Sequence, residues 1–148
     1  MLDLISYLRK QTEDRGWAFL CINQSDKVFS LDDQDWTDGV YKLMVQLTGS
    51  NPIMEEQQRN GRYTENIELS LCRKFDIETD TVAEVGESFQ QKYDNRLAEL
   101  RTDLDQFLLD TIDLHPSIEE KSTSYQWALN VGAVGIDMGV ATLQLETW

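Results

Sequence analysis

The closing stretch of the chain, SYQWALNVGAVGIDMGVATLQLETW from Ser124 to Trp148, decides how the rest is read. Tyr125, Trp127, Leu129 and Val131 alternate with Gln126, Ala128 and Asn130, and Ala141, Leu143 and Leu145 alternate with Thr142, Gln144 and Glu146. A period of two puts successive side chains on opposite faces of a strand, so the segment reads as a hairpin over 124–148. Gly132, Gly135 and Gly139 lie between the two runs and permit a bulged or flexible connection.

Working back from this hairpin, the period changes to that of a helix. Phe89, Tyr93, Leu97, Leu100, Leu104, Phe107, Leu108 and Ile112 recur at steps of three or four. The opposite side carries Lys92, Asp94, Arg96, Glu99, Arg101, Asp103 and Asp110. The stripe spans too few heptads for a coiled coil, so packing on a sheet is the expectation. Its start falls near Thr81 or after Gly86, and Pro116 closes the helical region.

Further upstream, IELSLCRKF from Ile67 alternates with Ile67, Leu69 and Leu71 inward, and VYKLMVQLT from Val40 alternates with Tyr41, Leu43, Val45 and Leu47 on one face. Between them GSNPIMEEQQRNGRYTEN is polar and without periodicity, which predicts a long flexible loop over 49–66. WAFLCIN, Trp17 to Asn23, is apolar on both alternating faces and suits a strand in the middle of a sheet. A turn at Ser25 to Lys27 and a short return strand over Val28 to Leu31 follow, then the turn-forming loop LDDQDWTDG. Leu4, Ile5 and Leu8 mark a first helix over Leu2 to Arg15, stopped by Gly16. The expected fold is α+β, a single domain over 1–148 with an antiparallel sheet of four or five strands and both helices on one face.

Charge narrows the function classes. Twenty-seven Asp and Glu against thirteen Lys and Arg give a formal net charge of −14. Such a surface is a poor match for a phosphate backbone, where affinity comes from Lys and Arg displacing counterions, and for anionic membranes. MLDLISYLRK carries charges at Asp3, Arg9 and Lys10, so no signal-peptide core is read there. Cys21 and Cys72 both lie in apolar strand runs and read as two buried thiols of a reducing compartment.

Catalytic signatures are missing. There is no GxxxxGK[ST], no GxGxxG after a strand and no GxSxG. The single histidine, His115, stands beside Pro116 at a helix end, where interaction with the helix C-terminus is the ordinary reading. The Asp32, Asp33, Asp35 and Asp38 loop fails the calcium pattern, since counting from Asp33 the sixth and twelfth places are Asp38 and Met44 instead of Gly and Glu. The expectation is a non-enzyme with no cofactor and no metal site.

With an N-terminal helix, the strands VYKLMVQLT and IELSLCRKF about a long polar segment, the helix from Phe89 to Ile112 and closing strands, the chain resembles the tail-terminator and head–tail completion (neck) proteins of tailed bacteriophages. The resemblance lies in element order over nearly the whole chain. It implies a structural virion protein that joins or terminates the tail at the head–tail interface, as a homo-oligomeric ring in contact with other neck or tail proteins. It places the protein in the virion, and in the host cytoplasm during assembly, with no membrane and no specific nucleic-acid contact, although DNA passes through such a ring's lumen. A head-to-tail ring needs two different surfaces on each subunit. Met138, Val140 and Trp148 of the hairpin are candidates for one, because interface cores are poor in charge and rich in Trp, Tyr and Met. Ile53, Met54, Arg59, Arg62 and Tyr63 of the polar segment are candidates for reaching a neighbour.

Two other classes compete. An acidic adaptor or DNA-mimic inhibitor of a nucleic-acid-binding protein would array carboxylates on one face, whereas here acids are interleaved with Lys and Arg. A hydrolase or ligand-binding domain would need a deep pocket with convergent polar groups, and no spacing in the sequence locates one.

Overall fold

A computed structural model describes residues 2–22, 34–74, 89–132 and 135–148. Helix α1 (Leu4–Asp14) starts where Asp3 accepts a hydrogen bond from the Ser6 backbone N–H at 3.1 Å, an N-cap that satisfies one of the free amides of the first turn. That bond and the Ser6 hydroxyl hold the Asp3 carboxyl below its usual range. Gly16 ends the helix with φ of 75°, the left-handed C′ position that glycine takes without strain.

Five strands follow: β1 (Ala18–Ile22), β2 (Lys42–Glu55), β3 (Gln58–Lys74), β4 (Ile118–Val131) and β5 (Ile136–Thr147). They form one sheet in the order β1-β2-β3-β5-β4, with helix α2 (Phe89–Leu108) and a π-turn (Leu109–Asp113) between β3 and β4. The class is α+β, but the sheet is mixed. β1 runs parallel to β2, with Phe19 opposite Leu43, while every other pairing is antiparallel. A parallel pair needs a crossover of a dozen or more residues, a length that residues 23–41 provide. Among the described residues β1 is also an edge strand, not a central one. Its apolar character on both sides has another cause: Phe19 packs on the main core and Leu20 and Ile22 on a second cluster across the sheet. The expected turn at 25–27 and return strand at 28–31 lie outside the described residues.

The register explains the core. Leu43 faces Leu71, Val45 faces Leu69, and Ile67, Leu69 and Leu71 face Leu143, Ala141 and Gly139, so one side of three adjacent strands is continuous hydrocarbon. Leu4 and Leu8 of α1 and Leu100, Leu104 and Phe107 of α2 join the same cluster, all at 4% exposure or less. Tyr7 donates its hydroxyl to the Thr111 carbonyl at 2.7 Å, tying α1 to the π-turn. Of the predicted helical stripe, the lower part is buried, while Tyr93 stays 37% exposed.

The expected loop over 49–66 is instead strand. β2 and β3 pair through Gly49 opposite Asn66, Pro52 opposite Tyr63 and Glu55 opposite Gln58. Backbone pairing satisfies these residues whatever their side chains, and the alternation is lost because neither face beyond Glu65 is covered. The turn is two residues, Glu56 and Gln57, at φ of 50° and 65°. Two positive φ values are the mark of the hairpin turn whose twist matches the strands, ordinarily written Asn-Gly. Glu-Gln carries no such signal, which is why the sequence conceals the hairpin.

Candidate interaction surfaces

The β2–β3 hairpin outgrows its neighbours. β1 pairs with β2 only as far as Gln46, and the last β5 partner of β3 is Thr147 opposite Tyr63. The tip beyond Tyr63 therefore projects by three residues on β2, roughly 10 Å at 3.3 Å per residue, against five on the bulged β3. Ile53 and Met54 on β2, and Arg59, Arg62 and Tyr63 on β3, lie on or at the base of this arm. None of the five is buried, and Met54 is 51% exposed. The arm is irregular, with Asn60, Gly61 and Arg62 opposite the single residue Ile53 and Gly61 at φ of 78°. Such a bulge bends a strand and interrupts its ladder.

At the base of the arm the structure joins two of the predicted residues. Arg62 lies over the ring of Trp148 at 4.4 Å and donates to Glu146 at 2.8 Å, with Lys121 3.6 Å from the same carboxylate. The Trp148 backbone N–H donates to the Ser117 carbonyl at 3.2 Å, so the terminal residue is folded back on the sheet. Met138 and Val140 are elsewhere. They line a shallow groove of about 390 Å³ with Gln126, Trp127 and Ala128. Val140 and Thr147 are seven residues apart along β5, roughly 23 Å. The predicted residues thus form two separate groups.

The β4–β5 hairpin is held at its turn by ionic contacts that the sequence reading did not single out. Arg96 of α2 grips Asp137 with Nε at 2.8 Å and Nη2 at 2.5 Å, and the Asn130 backbone N–H donates to the same carboxylate at 3.0 Å. Asp137 is 1% exposed, so those donors take the place of the water a surface carboxylate would have. Asn130, Gly132 and Gly135 take positive φ around the turn. Gly139 serves a different purpose from the expected flexibility: a Cβ there would sit 2.5 Å from the Trp127 ring, so its missing side chain makes room for the indole.

A second polar cluster ties α2 to the sheet. Arg73 donates to Glu99 at 2.6 Å and lies over the Tyr41 ring, whose hydroxyl donates to Asp103 at 2.6 Å. Burial, then the Asp103 bond, holds the Tyr41 phenol above its usual range. Near the start of β4, Glu120 meets Asp113 of the π-turn, with Thr123 also donating to it. Burial first, then this carboxyl neighbour, pushes Glu120 up to about 7. Burial and Asp105 push Tyr125 up to about 12.

The remaining candidates are structural. Cys21 and Cys72 are free thiols on opposite faces of the sheet, since Cys21 aligns with Val45 on the core side and Cys72 joins Met44 and Ile136 on the other. Burial pushes the Cys72 thiol up to about 12. His115 accepts the Ser117 backbone N–H at Nδ1 and packs edge-on to Tyr7, a turn-closing role in place of a contact with the helix end. Of the Asp-rich loop, Asp32 and Asp33 lie outside the described residues, and Asp38 is 3.7 Å from Lys74. The adjoining Gln34 to Trp36 receives Lys42, which donates to the Asp35 carbonyl at 2.7 Å and lies over the Trp36 ring. Among the described residues no group of three or more His, Cys, Asp or Glu is placed to hold a metal, and no helix is long and apolar enough to cross a membrane. No protein-family model matches the chain, and no curated protein is significantly similar to it.

Proposed function

We propose that the protein is a structural component of a tailed-phage virion, a ring-forming connector that joins or terminates the tail at the head–tail interface. The observation that carries this reading is the β2–β3 arm. A two-stranded hairpin is marginal in water on its own, yet among the described residues this one extends past both neighbouring strands, with no residue from Ile53 to Tyr63 buried and Met54 outward. An arm of this kind is suited to lying on an adjacent subunit, or on the neighbouring neck or tail protein. The sheet body from which it springs would be the second, different surface that head-to-tail closure needs. Light scattering behind a sizing column, with negative-stain images, tests the proposal. Closed rings that are lost when the arm is shortened to a tight turn at its base support it, and a single-chain mass at every concentration overturns it.

One observation favours a second reading, an acidic adaptor or DNA mimic. Arg96 turns inward to Asp137 and Arg101 lies over the Trp127 ring. Two basic residues of α2 are thus engaged with the neighbouring β4–β5 hairpin, while Asp94 and Asp105 of α2 are exposed. Salt-sensitive binding of the single chain to a basic nucleic-acid-binding protein, in competition with DNA, would favour this alternative.

A further inference from the structure

β1 and the middle of β4, Ser122 to Ala128, carry no charge, no proline and no irregularity of register. An edge strand offers a row of unused N–H and C=O groups, and proteins usually blunt it with charge, proline or bulges. Such devices occur on the arm, with Pro52, Gly61, two acidic and two basic residues and the irregularity between Pro52 and Met54, and toward both ends of β4, where the register shifts after Glu120 and after Ala128. Among the described residues β1 pairs only with β2 and β4 only with β5. From Ser122 to Ile136 the chain has no charged residue, and from Gly16 to Ser25 it has none either. In a protein of net charge −14 these are the places where like-charged copies approach without repulsion.

β4 is also thinly covered, touched by the π-turn at Glu120 and by α2 at Tyr125. From Glu119 to Gln126 none of its residues is buried, although its partner β5 alternates buried and open over the same span. Among the described residues, both β4 and the outer side of β1, where Ala18 is exposed, have no further strand beside them and could take an added one. Strand addition of this type takes its affinity from main-chain hydrogen bonds and needs no deep pocket.

We infer that the subunits join edge to edge, β4 of one copy adding to β1 of the next, so that the sheet continues from subunit to subunit. This rests on the ring reading above and supplies its subunit interface. The two edges are unlike, so the contact is head-to-tail and repeats from copy to copy, as a ring requires, instead of stopping at a two-fold dimer. The arm is then left for the neighbouring subunit's surface or for the next protein along the tail axis.

Lysines on each edge test it. A β4-blocked chain carries Ser124→Lys with Gln126→Lys, and a β1-blocked chain carries Ala18→Lys, all three at exposed positions. Each variant alone is expected to run at the mass of one chain while the unmodified protein forms rings, and circular dichroism checks that each is folded. An equimolar mixture is expected to give a two-chain species and nothing larger, because one free β1 edge and one free β4 edge remain compatible. Rings that persist in both variants overturn the edge contact and leave the ring standing. A β1-blocked chain that still forms two-chain species by itself also overturns it, since β4 would then pair with β4. Unmodified protein that stays single at all concentrations removes the ring and this interface together. Should Ala18→Lys fail to fold, Ala18→Glu serves in its place.

Discussion

The two antiparallel hairpins are built on opposite principles. The β4–β5 hairpin has the stronger turn signals, Asn130, Gly132 and Gly135 at positive φ, and its turn is fastened to α2 by the Arg96–Asp137 pair. The β2–β3 hairpin turns through Glu56 and Gln57, which hold positive φ without glycine, and its tip touches no helix or other strand in the described ladders. One hairpin is locked by tertiary contacts and the other stands on its own ladder. The comparison teaches that burial, not turn chemistry, sets where stability resides, and that the protruding element is the one free to act on something else.

The largest effect is expected at the lock. Asp137→Ala would take away the carboxylate gripped by Arg96, which is 11% exposed, and remove the acceptor of the Asn130 N–H. Breaking a buried pair from one side costs about 3–5 kcal/mol, which thermal or urea denaturation reads directly. A loss under 1 kcal/mol would mean the pair is well solvated. Next comes Gly139→Ala, which forces a Cβ into the Trp127 ring and should cost about 1–3 kcal/mol. Recovery of part of that loss in the Gly139→Ala/Trp127→Leu double variant would identify the clash as the cause.

A pH effect of smaller size belongs to the same hairpin. Glu120 is raised from 4.5 to about 7 by burial and by Asp113, with Thr123 beside it and Tyr125 and Asp105 close by. A group that binds its proton more tightly in the folded state contributes stability fully present below pH 4.5 and lost as pH rises through 7. The melting temperature should thus fall between pH 5 and 8 relative to Glu120→Gln, which has no proton to lose. Parallel curves for the two proteins would show that Glu120 is ordinarily solvated. The smallest effect concerns the arm. Glu56→Asn with Gln57→Gly supplies residues that accept positive φ, so amide exchange at 54–59 should slow several-fold while the melting temperature stays within about 1 °C. A clear rise in melting temperature would mean the arm is coupled to the core after all.

Much of this architecture was legible beforehand. Leu43, Val45, Ile67, Leu69, Leu71, Ala141, Leu143 and Leu145 are buried as their alternation predicts, and the stripe from Leu100 to Ile112 is buried as its period predicts. What escaped was structure without a periodic side-chain signal. The arm is solvated on both faces, so nothing in it alternates. The direction of β1 depends on how the chain between β1 and β2 crosses, and its edge position depends on strand order. Of the predicted interface residues, Arg62 and Trp148 meet at the arm's base, while Met138 and Val140 belong to a different part of the sheet. The roles of Arg96, Asp137 and Glu120 had no local pattern, because each depends on a partner from another element.

By itself the sequence determined which residues turn inward, because burial of hydrocarbon follows the period of the strand or helix that carries it. It determined also the acidic balance and the uncharged runs. Only the tertiary structure decided that β1 and β4, drawn from those runs, flank the described sheet, that a polar segment is an arm and that a buried aspartate meets its arginine. Strand order, crossover direction and long-range ion pairs are set by how elements far apart in sequence pack together, and no local pattern encodes that.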